Sequence, residues 1–163
     1  MSTVATAHEH TEGRTAPRFH ATLAIPMFTV EVQVGRIIEA RITALRTLER
    51  ATAYGKAVSQ LIKQSSGHER MILCADHRAV TIYPQAVTDE LAVLFGINNH
   101  RLERVAILVA ASNATLSMQL GRLVREAHNP GRRVFLAASE AEAFLGEIVT
   151  AAERTRLAQF LAS

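Results

Sequence analysis

The chain has 163 residues, which is the usual size of one compact domain. Apolar residues make up 48% and charged residues 20%, so a disordered chain, a collagen-like fibre and a disulfide framework are all excluded. The net charge is only +3, too modest a surplus for a dedicated nucleic-acid binder, and no nucleic-acid partner is expected. Residues 1–24 are rich in Thr, Ala, His and Glu without sustained periodicity, and read as a mobile arm whose removal leaves unfolding unchanged. Val30, Val32 and Val34 then alternate with Glu31 and Gln33. Gly35-Arg36 separates them from a second β-like run over residues 37–42, which predicts a hairpin with a Gly-X turn.

Thr47 is placed to cap a helix carrying Ala51, Tyr54, Val58, Leu61 and Ile62 on one side, stopped at Ser65-Ser66-Gly67. Residues 71–75 form a short, nearly all-apolar run that suits a central strand. A helix follows from about Pro84 with Val87, Leu91, Leu94 and Phe95 on its inner side, and Asn98-Asn99 ends it. Ala86, Val93 and Ile97 make a second stripe on that helix. It is covered by a neighbouring segment or it is free for a partner.

Residues 105–110 repeat the buried-strand pattern. Ser112 or Asn113 caps the next helix, whose stripe is Leu116, Leu120, Leu123, Val124 and Ala127, and Asn129-Pro130-Gly131 terminates it. Residues 133–136 give a last strand, and Ser139-Glu140-Ala141-Glu142 reads as a capping box opening one final helical region. The expected order is ββαβαβαβα, an α/β fold with a mixed sheet and helices packed on it. Past Leu145, the apolar residues Ile148, Val149, Ala152, Leu157, Phe160 and Leu161 form a stripe. Either it folds back across the chain's own sheet or it pairs with a second copy, and a homodimer is the expectation.

The strand-loop-helix residues Leu73-Cys74-Ala75-Asp76-His77-Arg78-Ala79-Val80-Thr81-Ile82-Tyr83-Pro84, with Asn99-His100-Arg101-Leu102-Glu103-Arg104 and the stretch from Leu123 to Arg133, resemble the SpoIIAA-like branch of the STAS (sulfate transporter and anti-sigma factor antagonist) superfamily. The resemblance covers residues 28–145. It implies a STAS-like domain over residues 25–145, and the apolar stripe beyond it reads as a C-terminal helical extension over 146–163. Many proteins of that branch are bacterial. The resemblance further implies a regulatory protein-interaction module, with no enzymatic activity expected. Switch proteins of the superfamily carry an Asp-Ser pair at the helix start where this chain has Pro84-Gln85-Ala86, so no phosphate is expected there. Thr81 reads as a loop residue and Thr88 as a solvated helix position.

On this reading the partner-binding candidates are Asp76, His77, Arg78, Tyr83, Pro84, Gln85, Ala86, Val93 and Ile97. The partner itself is an unidentified protein. The alternative is a small anionic-ligand or lipid-binding protein, because the SpoIIAA-like branch is often grouped by shape with the CRAL-TRIO lipid-binding fold. Its anion-binding candidates are Arg122, Arg125, Arg132 and Arg133.

Other chemistry finds little support. Asp76, His77 and Ser112 lie at adjacent strand ends, but Ser112 lacks the Gly-x-Ser-x-Gly elbow that exposes a nucleophile. His8-Glu9-His10 offers too few fixed ligands for a closed metal site. Without a Walker loop, His-Glu-x-x-His or Cys-x-x-Cys, neither a cofactor nor a metal is expected. Cys74, the single cysteine, sits mid-strand as an inert hydrophobe, and the sequence reads as cytoplasmic with no membrane insertion.

Overall fold

The computed structural model describes residues 26–65 and 70–163. The expected N-terminal arm, the His8-Glu9-His10 cluster and the Ser66-Gly67 part of the helix stop lie outside the described residues. The elements run β1 (Phe28–Glu31), β2 (Ile37–Ile42), α1 (Leu48–Gln64), β3 (Met71–Asp76), α2 (Gln85–Ile97), β4 (Leu102–Leu108), α3 (Ala114–Glu126), β5 (Arg132–Phe135), α4 (Ala138–Gly146) and α5 (Ala151–Ala162). A 3-10 turn, Asn99–Arg101, links α2 to β4.

The five strands form one mixed sheet in the order β1-β2-β3-β4-β5. β1 pairs antiparallel with β2, and every later pairing is parallel. Because each crossover steps one strand in the same direction, a constant handedness puts α1, α2 and α3 on one face. That face carries the larger core: Ile38, Ala40 and Ile42 of β2, Leu73 of β3, and Val105 and Ile107 of β4 meet Tyr54, Val87, Leu91, Leu116 and Leu120. Strand alternation leaves Ile37, Ile72, Cys74, Ala106 and Leu108 on the opposite face, which the crossovers cannot reach. α4 and α5 cover it with Ala141, Phe144, Leu145, Leu157, Phe160 and Leu161.

The stripe beyond Leu145 therefore folds back on the chain's own sheet. Leu157, Phe160 and Leu161 are 0%, 6% and 3% exposed, which removes the observation that carried the homodimer expectation. Burying side chains of this size contributes about 1.5–3 kcal/mol each before conformational entropy is counted. Ala152 is exposed and does not belong to the stripe.

Three local expectations need correction. The hairpin has no two-residue Gly-X turn: β1 ends at Glu31, opposite Glu39, and Val32 and Val34 lie in a longer connection. Gly35 within it takes a left-handed φ of +58° and lies so close to Glu153 of α5 that a Cβ would collide with that carboxylate. The final helical region is two helices, interrupted over residues 147–150. Ser139 sits inside α4, whose N-cap is Ala137 without a side-chain bond. The actual capping box is Thr150 with Glu153, the threonine hydroxyl accepting from Glu153 N–H and the Glu153 carboxylate accepting from Thr150 N–H at 2.9 Å. The other caps follow the sequence. Thr47 accepts from Arg50 N–H, and Asn113 rather than Ser112 accepts from Leu116 N–H.

Candidate functional site

In an open α/β sheet the carboxyl ends of the parallel strands are where ligand chemistry is sought. Here β3 ends at Asp76 and the chain enters the connection over residues 77–84. Asp76 is 5% exposed and accepts from Arg78 three times: from the backbone N–H at 3.0 Å, from Nε at 3.0 Å and from an Nη at 2.9 Å. Arg41 of β2 approaches the same carboxylate at 3.6 Å. Burial alone would raise the Asp76 pKa; the Arg78 hydrogen bonds and the Arg78 and Arg41 charges outweigh it and hold the carboxyl below its ordinary value. Both arginines continue to α5. Arg78 donates to the carbonyls of Leu161 and Ser163 at 3.2 Å, and Arg41 to Phe160 O at 2.9 Å. Two guanidinium groups thus satisfy carbonyls at the end of α5, where the helix dipole favours cations.

The opposite end of α5 is held in the same manner. Glu153, 3% exposed, accepts from Arg36 N–H at 2.9 Å, and Arg36 donates to Ile148 O at 2.5 Å. Between the ends, Arg156 forms a two-pronged pair with Glu39 of β2 at 2.5 and 2.6 Å, Glu39 being 2% exposed. Asp76 and Arg78, read from the sequence as partner-binding candidates, are therefore committed to an internal clamp on the C-terminal helix.

His77 and Tyr83 are also withdrawn from the surface, at 2% exposure each. His77 Nδ1 and the Tyr83 hydroxyl share a 2.7 Å hydrogen bond, with the rings edge-to-face at 89°. Burial pulls the His77 pKa down to about 4, against the smaller opposing pull of Asp76, so the imidazole is neutral at neutral pH. Burial, and then the neighbouring Tyr54, pushes the Tyr83 hydroxyl well above its ordinary value. Gln119 of α3 accepts from Tyr83 N–H and donates to Tyr83 O at 3.0 Å, while Asn113 donates to Val80 O and Thr81 O. The second half of the connection is thus pinned by α3 and its N-cap, while His77 N–H at its start donates to Leu108 O of β4 at 2.8 Å. Ser112 is exposed, and its hydroxyl forms no hydrogen bond to His77. Cys74 is fully buried, and burial followed by the Asp76 and Glu39 charges pushes its thiol up to about 12, which makes it a poor nucleophile.

The remaining partner candidates do reach solvent. Pro84, Gln85 and Ala86 are exposed at the start of α2, and Val93 and Ile97 are 56% and 55% exposed on its outer side. Ile82, which sequence reasoning did not single out, is 55% exposed just ahead of them. A groove of about 520 Å³ between α1 and α2 runs beside Ile97 and Leu94 and carries Lys56 and Lys63 on its α1 wall. Thr88 is 1% exposed and donates to Gln85 O at 2.8 Å, so it is not the solvated position that the sequence suggested.

The four arginine candidates do not converge. Arg122 pairs with Glu126 at 3.5 Å and Arg125 is exposed, both on α3. Strand alternation then separates the other two: Arg133 lies over the Phe144 ring on the α4 side, and Arg132 is buried on the α1–α3 side over Phe95. Among the described residues there is no cluster of three or more His, Cys, Asp or Glu able to hold a metal ion, and no helix is long and apolar enough to cross a membrane.

The clamp residues Arg36, Glu39, Arg41, Glu153 and Arg156 were missed from sequence. Their signal was weak, since Glu39 and Arg41 alternate with Ile38, Ala40 and Ile42 as solvent-facing residues would. Fold and site together define an α/β protein with a five-stranded mixed sheet whose strand-end polar groups are spent on its own architecture. Comparison of the chain with family models, with curated proteins and with solved structures finds no match.

Proposed function

We propose that this chain is a non-enzymatic protein-interaction and regulatory module of the STAS-like kind, working in the cytoplasm and docking its partner through the outer face of α2. The observation that carries the reading is the exposed aliphatic set Ile82, Val93 and Ile97, each more than half open to solvent on one connected segment. The adjoining α1–α2 groove sets Leu94, Ile97 and Glu90 of α2 against Lys56 and Lys63 of α1, which suits a partner helix bearing aliphatic anchors flanked by charges of both signs. Regulation through a phosphate on this segment is not part of the proposal. Pro84-Gln85-Ala86 occupies the helix start, and the Thr88 hydroxyl is buried and hydrogen-bonded. The anionic-ligand or lipid alternative has no common arginine patch to rest on.

The test compares proteins retained from native-host extract by the wild-type chain, by Val93→Asp/Ile97→Asp, and by Met118→Asp as an exposed control on α3. A protein retained by wild type and control but released by the double variant supports the reading. Identical retention by all three overturns it.

A further inference from the structure

The sheet ends at β5, whose outer edge pairs with no further strand among the described residues. Val105 N–H donates to Gly131 O at 2.7 Å and Val109 N–H to Phe135 O at 2.9 Å, so the peptide groups of Gly131, Arg133 and Phe135 face β4. Alternation along the strand turns the N–H and C=O of Val134 and the C=O of Arg132 outward, and no group among the described residues bonds to them. An open edge of this kind is a template for another strand.

Beside the edge runs a groove of about 570 Å³, with Ser117, Met118, Gly121 and Arg125 of α3 on one side and Val134 and Leu136 on the other. Met118 is 74% exposed, more than any other large apolar side chain of the described residues, and Leu136 is 47% exposed. Gly121 leaves a notch in the helix wall. Apart from the helix's own backbone, a Cβ there would meet only Arg125 Nη1, at an ordinary contact distance of 3.6 Å. Arg125 is exposed and pairs with no carboxylate among the described residues, and no acidic side chain lines the groove.

We propose that this edge and groove bind an extended peptide segment of a partner protein, which adds to β5 as a further strand and carries an aliphatic side chain two residues from a carboxylate. The peptide's main chain pairs with the outward groups of Val134, its aliphatic side chain enters the notch at Gly121 beside Met118, and its carboxylate meets Arg125. The spacings agree: two residues of a strand span about 7 Å, and the helical turn from Gly121 to Arg125 rises about 6 Å. Unpaired main-chain groups along the edge select a strand, whereas a helix has none to offer them. A second copy fits less well, because two-fold pairing of β5 with β5 brings two α3 helices, each carrying Arg122 and Arg125, to one seam. The surface shares no residue with the docking face on the outside of α2, and the proposal does not rest on that face.

Selection of the full chain against a displayed library of random short peptides tests the proposal, with Gly121→Leu, which fills the notch, as the counter-selection. The expected enrichment is of sequences with an aliphatic residue two positions from Asp or Glu. A synthetic peptide of that sequence should bind about tenfold or more weakly to Gly121→Leu, to Arg125→Glu and to Val134→Pro, which removes an edge N–H that the fold does not use. N-methylation of the peptide at the residue opposite Val134 should weaken binding to the wild-type chain equally, a loss that a side-chain-only or helical mode would not show. That arm carries the backbone test should Val134→Pro fail to fold. Val93→Asp/Ile97→Asp should leave the affinity unchanged and Met118→Asp should lower it, the reverse of what a partner on α2 shows, so the two surfaces report separately. No enrichment, a peptide whose affinity survives both Gly121→Leu and N-methylation, or a dimer in solution that Gly121→Leu dissociates would each overturn the proposal.

Discussion

The two faces of the sheet are covered by different means. On the first, α1, α2 and α3 are crossover helices tethered at both ends to neighbouring strands, so connectivity alone brings them against the sheet, and apolar burial suffices to hold them. On the second, α5 is tethered to the described fold only through α4. Its seat rests on directional contacts along its length: Glu153 with Arg36, Arg156 with Glu39, and the terminal carbonyls with Arg41 and Arg78 around Asp76. Apolar contact is indifferent to register, whereas paired charges at fixed positions are not. A helix free to slide needs polar registration more than one strung between two strands does.

The same contrast locates the free surface. Polar groups at the carboxyl ends of β2 and β3 are absorbed by the C-terminal helix, while the outer side of α2 presents aliphatic side chains that nothing among the described residues covers.

The largest way to break the contrast is to remove the second cover. Deleting residues 147–163 removes Leu157, Phe160 and Leu161 from the second core, strips Glu39 of Arg156 and leaves Arg41 and Arg78 without their carbonyl acceptors on α5, so an aggregated chain without a cooperative melt is expected. Light scattering coupled to size exclusion checks it. A folded monomer would show that the first face is sufficient.

Acid is the next lever, and it acts where the faces meet. His77 binds its proton less readily when folded, with a pKa of about 4 against 6.5, so the unfolded chain takes up more protons between those values. Stability is therefore full above about pH 6.5 and falls as pH drops toward 4, by about 3 kcal/mol for a shift of this size. Asp76, also depressed on folding, extends the loss below its ordinary value of 3.8. Urea titrations across this range should show the decline, and His77→Gln should flatten it between pH 6.5 and 4.

A smaller effect sharpens the registration argument. Thr150→Ala removes one half of the capping box and should cost about 1 kcal/mol by denaturant unfolding, with Thr150→Ser retaining most of the stability. Smallest of all is Ile97→Asp, which should change stability by less than about 0.5 kcal/mol because the side chain is exposed. Its effect belongs to partner binding, and a chemical melt of the purified variant separates the two.

Much of the first face was legible from sequence because it obeys simple periods. The Tyr54, Val58 and Ile62 stripe, the Val87 and Leu91 stripe, the all-apolar β3 and the Thr47 cap all follow from 3.6-residue spacing, buried-strand runs and capping chemistry. The second face was not legible, because its specificity lies in pairs such as Arg36 with Glu153 that are distant in sequence and carry no local signature. Ser139-Glu140-Ala141-Glu142 and Thr150-Ala151-Ala152-Glu153 both end in an acidic residue at the right spacing, and the pattern cannot tell which helix start the fold uses. Arg132 illustrates the same limit. Beside Arg133 it reads as surface charge, and only the strand's inward turn at that position makes it a core residue. At the candidate site, the exposed half of the partner set is a property of α2's own periodicity, whereas the burial of Asp76, His77 and Tyr83 depends on α3 and α5 closing over them.

The measurement that bears most directly on the account is a photo-crosslinking comparison in the native host, with the reactive side chain at position 97 on the outside of α2 or at position 159 on the outside of α5. The account predicts a discrete adduct with another protein from position 97 and none from position 159. Adducts of the chain with itself from position 159, or silence at position 97, would contradict it.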